Sequence, residues 1–99
     1  MARRLTAIII VASLGVAGGA QGAGNAAAGK DKSAICAGCH GDRGQGTASA
    51  PALAGKAEAD LVKALKEFKF GRPSVMHGLA ASLNDQDVED LATYYASLK

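Results

Sequence analysis

The chain has no tryptophan, and only two phenylalanines, two tyrosines and two prolines among its 99 residues. Aromatics this sparse and scattered cannot form a platform for stacking bases, and no large basic excess accompanies them, which excludes a nucleic-acid partner. No stretch alternates apolar with polar residues at period two, so the strand signal is missing. Cys36 and Cys39 are the only cysteines. A disulfide between them would close a tiny loop and constrain little. A chain this short buries little of its own surface and needs another staple.

Long apolar runs are missing too. The longest, 5–16, is 12 residues, short of the roughly 17–25 that span a bilayer. Arg3 and Arg4 precede it and the small residues of 17–23 follow. This is the charged, apolar and small-residue order of a secretory signal peptide. We expect cleavage after Ala20, with Ala23 as the alternative. Residues 21–99 are then one domain, exported to the periplasm, with no stable membrane insertion. Without Arg3 and Arg4, nine basic residues stand against nine acidic ones, so the exported chain is near neutral.

What the chain does have is Cys36-Ala37-Gly38-Cys39-His40. C-x-x-C-H is the attachment run of a c-type haem. Two thiols add across the two vinyl groups, one helical turn presents both to one porphyrin edge, and the imidazole becomes the proximal iron ligand. Covalent haem c would also be the missing staple, and the haem-free chain is expected to be largely unfolded. A thioredoxin-type dithiol wants a βαβ setting, absent here. A zinc site needs two further ligands, which His40 and His77 could supply, but the export signal and the motif order favour haem.

The remaining pattern is helical. Asn25 can cap a first helix running to about Cys36, with Gly29 in its middle. Residues 41–51 hold three glycines and a proline and read as an irregular loop. A phosphate loop is excluded, because no Gly-Lys-Ser/Thr follows at the required spacing. Leu61, Leu65 and Phe68 recur at i, i+4, i+7 and predict a helix over about 57–70, ended by Gly71 and Pro73. Residues 71–83 read as a second loop. Asn84 with Asp87 forms a capping box, and Leu83 with Val88 a hydrophobic staple, for a last helix whose apolar face is Val88, Leu91, Ala92, Tyr95 and Leu98. Asp85, Asp87, Glu89 and Asp90 favour its positive end. The fold class is all-α: three to four short helices and two irregular loops around one haem.

The second iron ligand has two candidates, Met76 and its neighbour His77. A lone methionine is ordinarily core filler. In a haem protein whose other methionine is the initiator, a loop Met 36 residues beyond His40 becomes the expected distal ligand. His77 is the lesser candidate.

These residues resemble the small class I c-type cytochromes of bacteria. The likeness is to single-haem relatives of one half of the di-haem respiratory cytochromes, and to the cytochrome subunit of flavocytochrome c sulfide dehydrogenases. The matching stretches are ICAGCHGDRGQG, PALAGK, LVKALKEFKFGRPS and MHGLAASLNDQDVEDLATYYASL. The resemblance implies the cytochrome c fold, with the first and last helices crossing at Gly29. It implies that the Pro51 carbonyl accepts the His40 Nδ1–H, and that Met76 is the axial methionine. Lys56 and Ser33 depart from the pattern: the family often has Gln at the first position and an aromatic at the second.

The expected function is therefore a periplasmic electron carrier, not an enzyme, passing single electrons between redox proteins. The alternatives are an electron-transfer subunit of a larger oxidoreductase, such as a sulfur-compound dehydrogenase, and a haem enzyme or gas sensor with an open distal site. Lys56, Lys63, Lys66, Lys69 and Arg72 could dock an acidic partner, although such a set is also the ordinary solvated face of a helix.

Overall fold

A computed structural model describes residues 24–98. The expected signal peptide and its cleavage positions lie outside the described residues. Among the described residues five helices follow one another: α1 (Ala26–Lys32), α2 (Ala34–His40), α3 (Glu58–Lys69), α4 (Val75–Ala80) and α5 (Asp85–Ser97). Among the described residues there is no strand, and no helix long and apolar enough to cross a membrane.

The frame is the crossing of α1 over α5. Asn25 caps α1 by accepting the Ala28 N–H at 2.9 Å. One turn on, Gly29 is buried against α5, where a Cβ would stand 2.0 Å from the Asp90 carbonyl oxygen and 2.7 Å from Tyr94 Cβ. No side chain fits there, so glycine's cost within a helix is offset by the close approach. Helix α5 starts on the expected capping box: Asn84 Oδ1 accepts the Asp87 N–H at 2.7 Å, and Asp87 Oδ2 accepts the Asn84 N–H at 3.0 Å. Leu83 and Val88, the staple pair, are both buried, as are Leu91, Ala92, Tyr94 and Tyr95.

Charge closes this crossing. Asp90 is 3% exposed. Its Oδ1 accepts the Asn25 N–H at 2.8 Å and Gln86 Nε2 at 2.9 Å, and its Oδ2 accepts Lys32 Nζ at 2.6 Å. Lys32 also reaches Asp87 at 2.9 Å. Lys32 holds both carboxyls below, and they hold its ammonium above, the ordinary values. The expectation that Asp90 merely favours the helix dipole is too weak: it fastens two helices.

Two boundaries differ from expectation. The first helix does not run on to Cys36. Ser33 ends it and begins α2, its hydroxyl donating back to the Lys30 carbonyl at 2.6 Å. Such back-bonding gives the backbone an alternative to continuing the helix. The second loop is likewise not all loop, for Met76 and His77 lie in α4. Ser74 starts that helix by accepting the Met76 N–H at 2.8 Å.

Candidate functional site

Helix α2 carries Cys36, Cys39 and His40 at i, i+3 and i+4, which places them on one side of the helix. Cys36 is half-buried, Cys39 exposed, and His40 6% exposed. His40 Nδ1–H donates to the Pro51 carbonyl at 2.6 Å. That bond fixes the tautomer and leaves Nε2 with the free lone pair. The loop from 41 to 57 is shaped to bring Pro51 there. Gly46 N–H bonds the His40 carbonyl at 2.7 Å, and the Gly44 carbonyl takes the N–H groups of Leu53 at 2.7 Å and Ala54 at 2.9 Å. Thr47 Oγ1 donates to the Cys39 carbonyl.

Above α2 opens a crevice of two adjoining lobes, about 280 and 200 Å³. Both share Cys36, His40, Pro51, Leu65 and Met76 as walls. Leu53, Leu61, Phe68, Leu91 and Tyr95 complete the larger lobe, and Ile35, Val75 and Leu79 edge the smaller. Lys56 and Asp60 alone bring charge to the lining of the larger lobe. His77 lines neither lobe. Its Nδ1–H donates to the Phe68 carbonyl at 2.7 Å, tying α4 to α3. Adjacent in sequence, Met76 and His77 thus face different tasks, a division their spacing alone did not reveal. Among the described residues no group of three or more His, Cys, Asp and Glu side chains is arranged to hold a bare metal ion.

The cytochrome c family model matches residues 23–99. The chain belongs to the cytochrome c family. It is 43% identical over 95 residues to cytochrome c4 of Pseudomonas aeruginosa, covering 93% of this chain and 47% of that protein. Cytochrome c-554(548) of Halomonas halodenitrificans is 41% identical over 81 residues, covering 76% of this chain and 98% of that one. A thiosulfate dehydrogenase electron acceptor of Thiomonas intermedia is 41% identical over 96 residues, with 93% of this chain and 44% of that protein covered. The crystal structure of reduced cytochrome c4 from Pseudomonas stutzeri superposes with a TM-score of 0.72 at 40% identity, covering 77% of this chain and 46% of that one. The chain thus spans about half the length of the cytochrome c4 relatives.

The crevice fits the family's cofactor on its own chemistry. A mostly apolar cavity has two thiols one helical turn apart, an oriented imidazole and a thioether in its walls, which suits one covalent haem c. Burial pushes the Cys36 thiol up, and a hydrogen bond from Tyr95 partly opposes it. Burial likewise pushes the Tyr95 phenol up, with the neighbouring Cys36 adding to the effect. Tyr95 appeared in the sequence only as part of an apolar stripe. Its place with Cys36 in the wall of the larger lobe had no sequence signal, because the two lie 59 residues apart.

Proposed function

We propose that this cytochrome is a single-electron carrier of the periplasm, with His40 and Met76 as axial ligands and Cys36 and Cys39 as thioether anchors. The observation that carries the reading is that His40 and Met76, from separate helices, wall the same apolar crevice while His77 is turned to the Phe68 carbonyl. Haem supplies an iron that cycles between ferric and ferrous states. The chain supplies the rest. Pro51 orients His40 and raises its basicity. The Met76 thioether, soft and neutral, favours the ferrous state. Leu61, Leu65, Phe68 and Leu91 keep water from the crevice. His40 and Met76 together would leave no position at the haem iron for a substrate. Near-infrared and EPR spectra of ferric Met76→Ala and His77→Ala test this. Met76→Ala should lose the His/Met signature, and His77→Ala should keep it. An unchanged Met76→Ala spectrum, or prompt CO binding by the reduced wild type, would reject the assignment.

The likeness to a thiosulfate dehydrogenase electron acceptor supports a second reading, an electron-accepting partner or subunit of a sulfur-compound dehydrogenase. Size-exclusion of native periplasmic extract separates a free carrier from a bound subunit. Mass spectrometry of the exported protein locates the cleavage at Ala20 or Ala23.

Docking of an acidic redox partner falls on Lys56, Lys63 and Lys66 before the other two cations. Lys69 Nζ already donates to the Leu83 carbonyl at 2.5 Å. Arg72 pairs with Glu67 at 3.6 Å and lies 5.1 Å over the Phe68 ring. A Lys56→Gln/Lys63→Gln/Lys66→Gln variant should therefore lose most of the ionic-strength dependence of partner reduction.

A further inference from the structure

Lys56 and Asp60 are the only lysine, arginine, aspartate or glutamate residues in the walls of the larger lobe, and none of these lines the smaller one. Lys63, Lys66 and Lys69, further along α3, line neither lobe. The electron-carrier reading gives the two crevice charges no task at the iron.

Backbone geometry places both of them. Gly55, at φ +76°, gives its N–H to the Tyr95 carbonyl at 2.9 Å, and the Lys56 N–H reaches the Leu53 carbonyl at 3.3 Å. This turn seats Lys56 between the end of α5 and the start of α3. Asp60 follows in the first turn of α3, where its N–H bonds the Ala57 carbonyl at 3.1 Å. Among the described residues the ion pairs are Lys32 with Asp87 and Asp90, and Arg72 with Glu67. Lys56 and Asp60 therefore each bring an unpaired charge to the lobe. Both residues are also exposed, so they stand at its lip, between water and the apolar wall.

We propose that Lys56 and Asp60 are an opposed pair that sets the reduction potential, the Lys56 ammonium favouring the ferrous state and the Asp60 carboxylate the ferric one. The proposal rests on the haem assignment above. His40 and Met76 wall the same lobe as Lys56 and Asp60, so reduction removes one positive charge from a centre that both of them face. A cation there repels the ferric state more than the ferrous, and an anion does the reverse. Apolar walls carry that field better than water does. Exposure keeps each effect modest and makes it sensitive to salt.

The test is a redox titration of the haem-loaded protein at low salt, with small-molecule mediators and no protein partner, so that docking does not enter. Lys56→Gln should lower the ferrous-to-ferric ratio at a fixed poise about twofold, which is ~18 mV at 59 mV per tenfold. Asp60→Asn should raise it by a similar factor, and the double variant should return it to the wild-type value. Lys56→Glu, which changes the charge by two, should lower it about fourfold, and Lys56→Arg should leave it unchanged. These shifts should shrink in about 1 M salt, where the screening length is only ~3 Å. Altered packing would instead give shifts that salt leaves alone, or shifts of one sign in Lys56→Gln and Asp60→Asn, and either result would overturn the proposal. So would a Lys56→Arg shift as large as that of Lys56→Gln, or no shift at low salt. The pyridine haemochrome spectrum of the wild type keeps the two readings apart. A spectrum without two thioethers defeats the haem assignment. Two thioethers with unmoved potentials defeat this proposal alone.

Discussion

One helix serves two faces that are built in different ways. Toward α1, helix α5 presents Asp90 and Tyr94; toward the crevice it presents Leu91, Ala92 and Tyr95. The first face is closed by protein alone. Gly29 has no side chain to keep the helices apart, and Lys32 with the Asn25 N–H neutralises Asp90. The second face meets walls from α2, α3, α4 and the loop at Pro51. Apolar surface dominates that face, so its stabilisation must come from whatever fills it. The crossing is a joint that polar geometry completes, whereas the crevice is half of an interface with a cofactor.

Removing the cofactor should break the comparison most completely. Haem-free Cys36→Ala/Cys39→Ala protein should show no cooperative thermal transition by far-ultraviolet circular dichroism. The loss is then the whole folding free energy, on the order of 5 kcal/mol or more. A sharp transition would mean that the crossing suffices without the crevice. Gly29→Val in the haem-loaded protein attacks the other face. Its methyl groups must displace the Asp90 backbone, so we expect a loss of about 3 kcal/mol in denaturant unfolding. Asp90→Ala leaves Lys32 and the Asn25 N–H without their acceptor and should cost about 2 kcal/mol. Neither substitution should move the reduction potential appreciably, because neither side chain lines the crevice.

The same contrast explains what could be read from the residues alone. The C-x-x-C-H run, the Asn84–Asp87 box and the stripe from Val88 to Tyr95 are local patterns, and the described helices keep them. Gly29 was legible only as a mid-helix oddity, given a meaning by resemblance. Helix α4 was hidden because Pro73 precedes it, Gly78 interrupts it, and it is a six-residue helix started by Ser74. The end of α1 at Ser33 depends on one hydroxyl choosing the Lys30 carbonyl, which periodicity does not register. Asp90 was legible as an acidic residue near a helix start. Its partners Lys32 and Asn25 lie 58 and 65 residues away, so its role as a fastener needed the fold.

Acid titration should sharpen the comparison with the smallest effect. Lys32 and the hydrogen bonds around them depress Asp90 and Asp87 in the native state, while in the unfolded chain an aspartate titrates near ~3.9. The unfolded state therefore binds more protons between those values, and stability there rises with pH. The contribution is fully present above pH ~4 and is lost as pH falls through the native values. Lys32 runs the other way: its raised pKa gives a contribution present below ~10.4 and lost as pH rises through the native value. Other titrating groups, including any haem propionates, act equally in wild type and in Asp90→Asn. The difference between their two stability curves thus isolates the crossing. That gap should be widest near neutral pH and close as pH falls through the depressed native values, and moderate salt should narrow it, because Lys32 and Asp87 remain partly solvated. Curves that stay parallel into acid would mean that shape alone holds the crossing, with Gly29 as its essential residue and the Asp90 charge incidental.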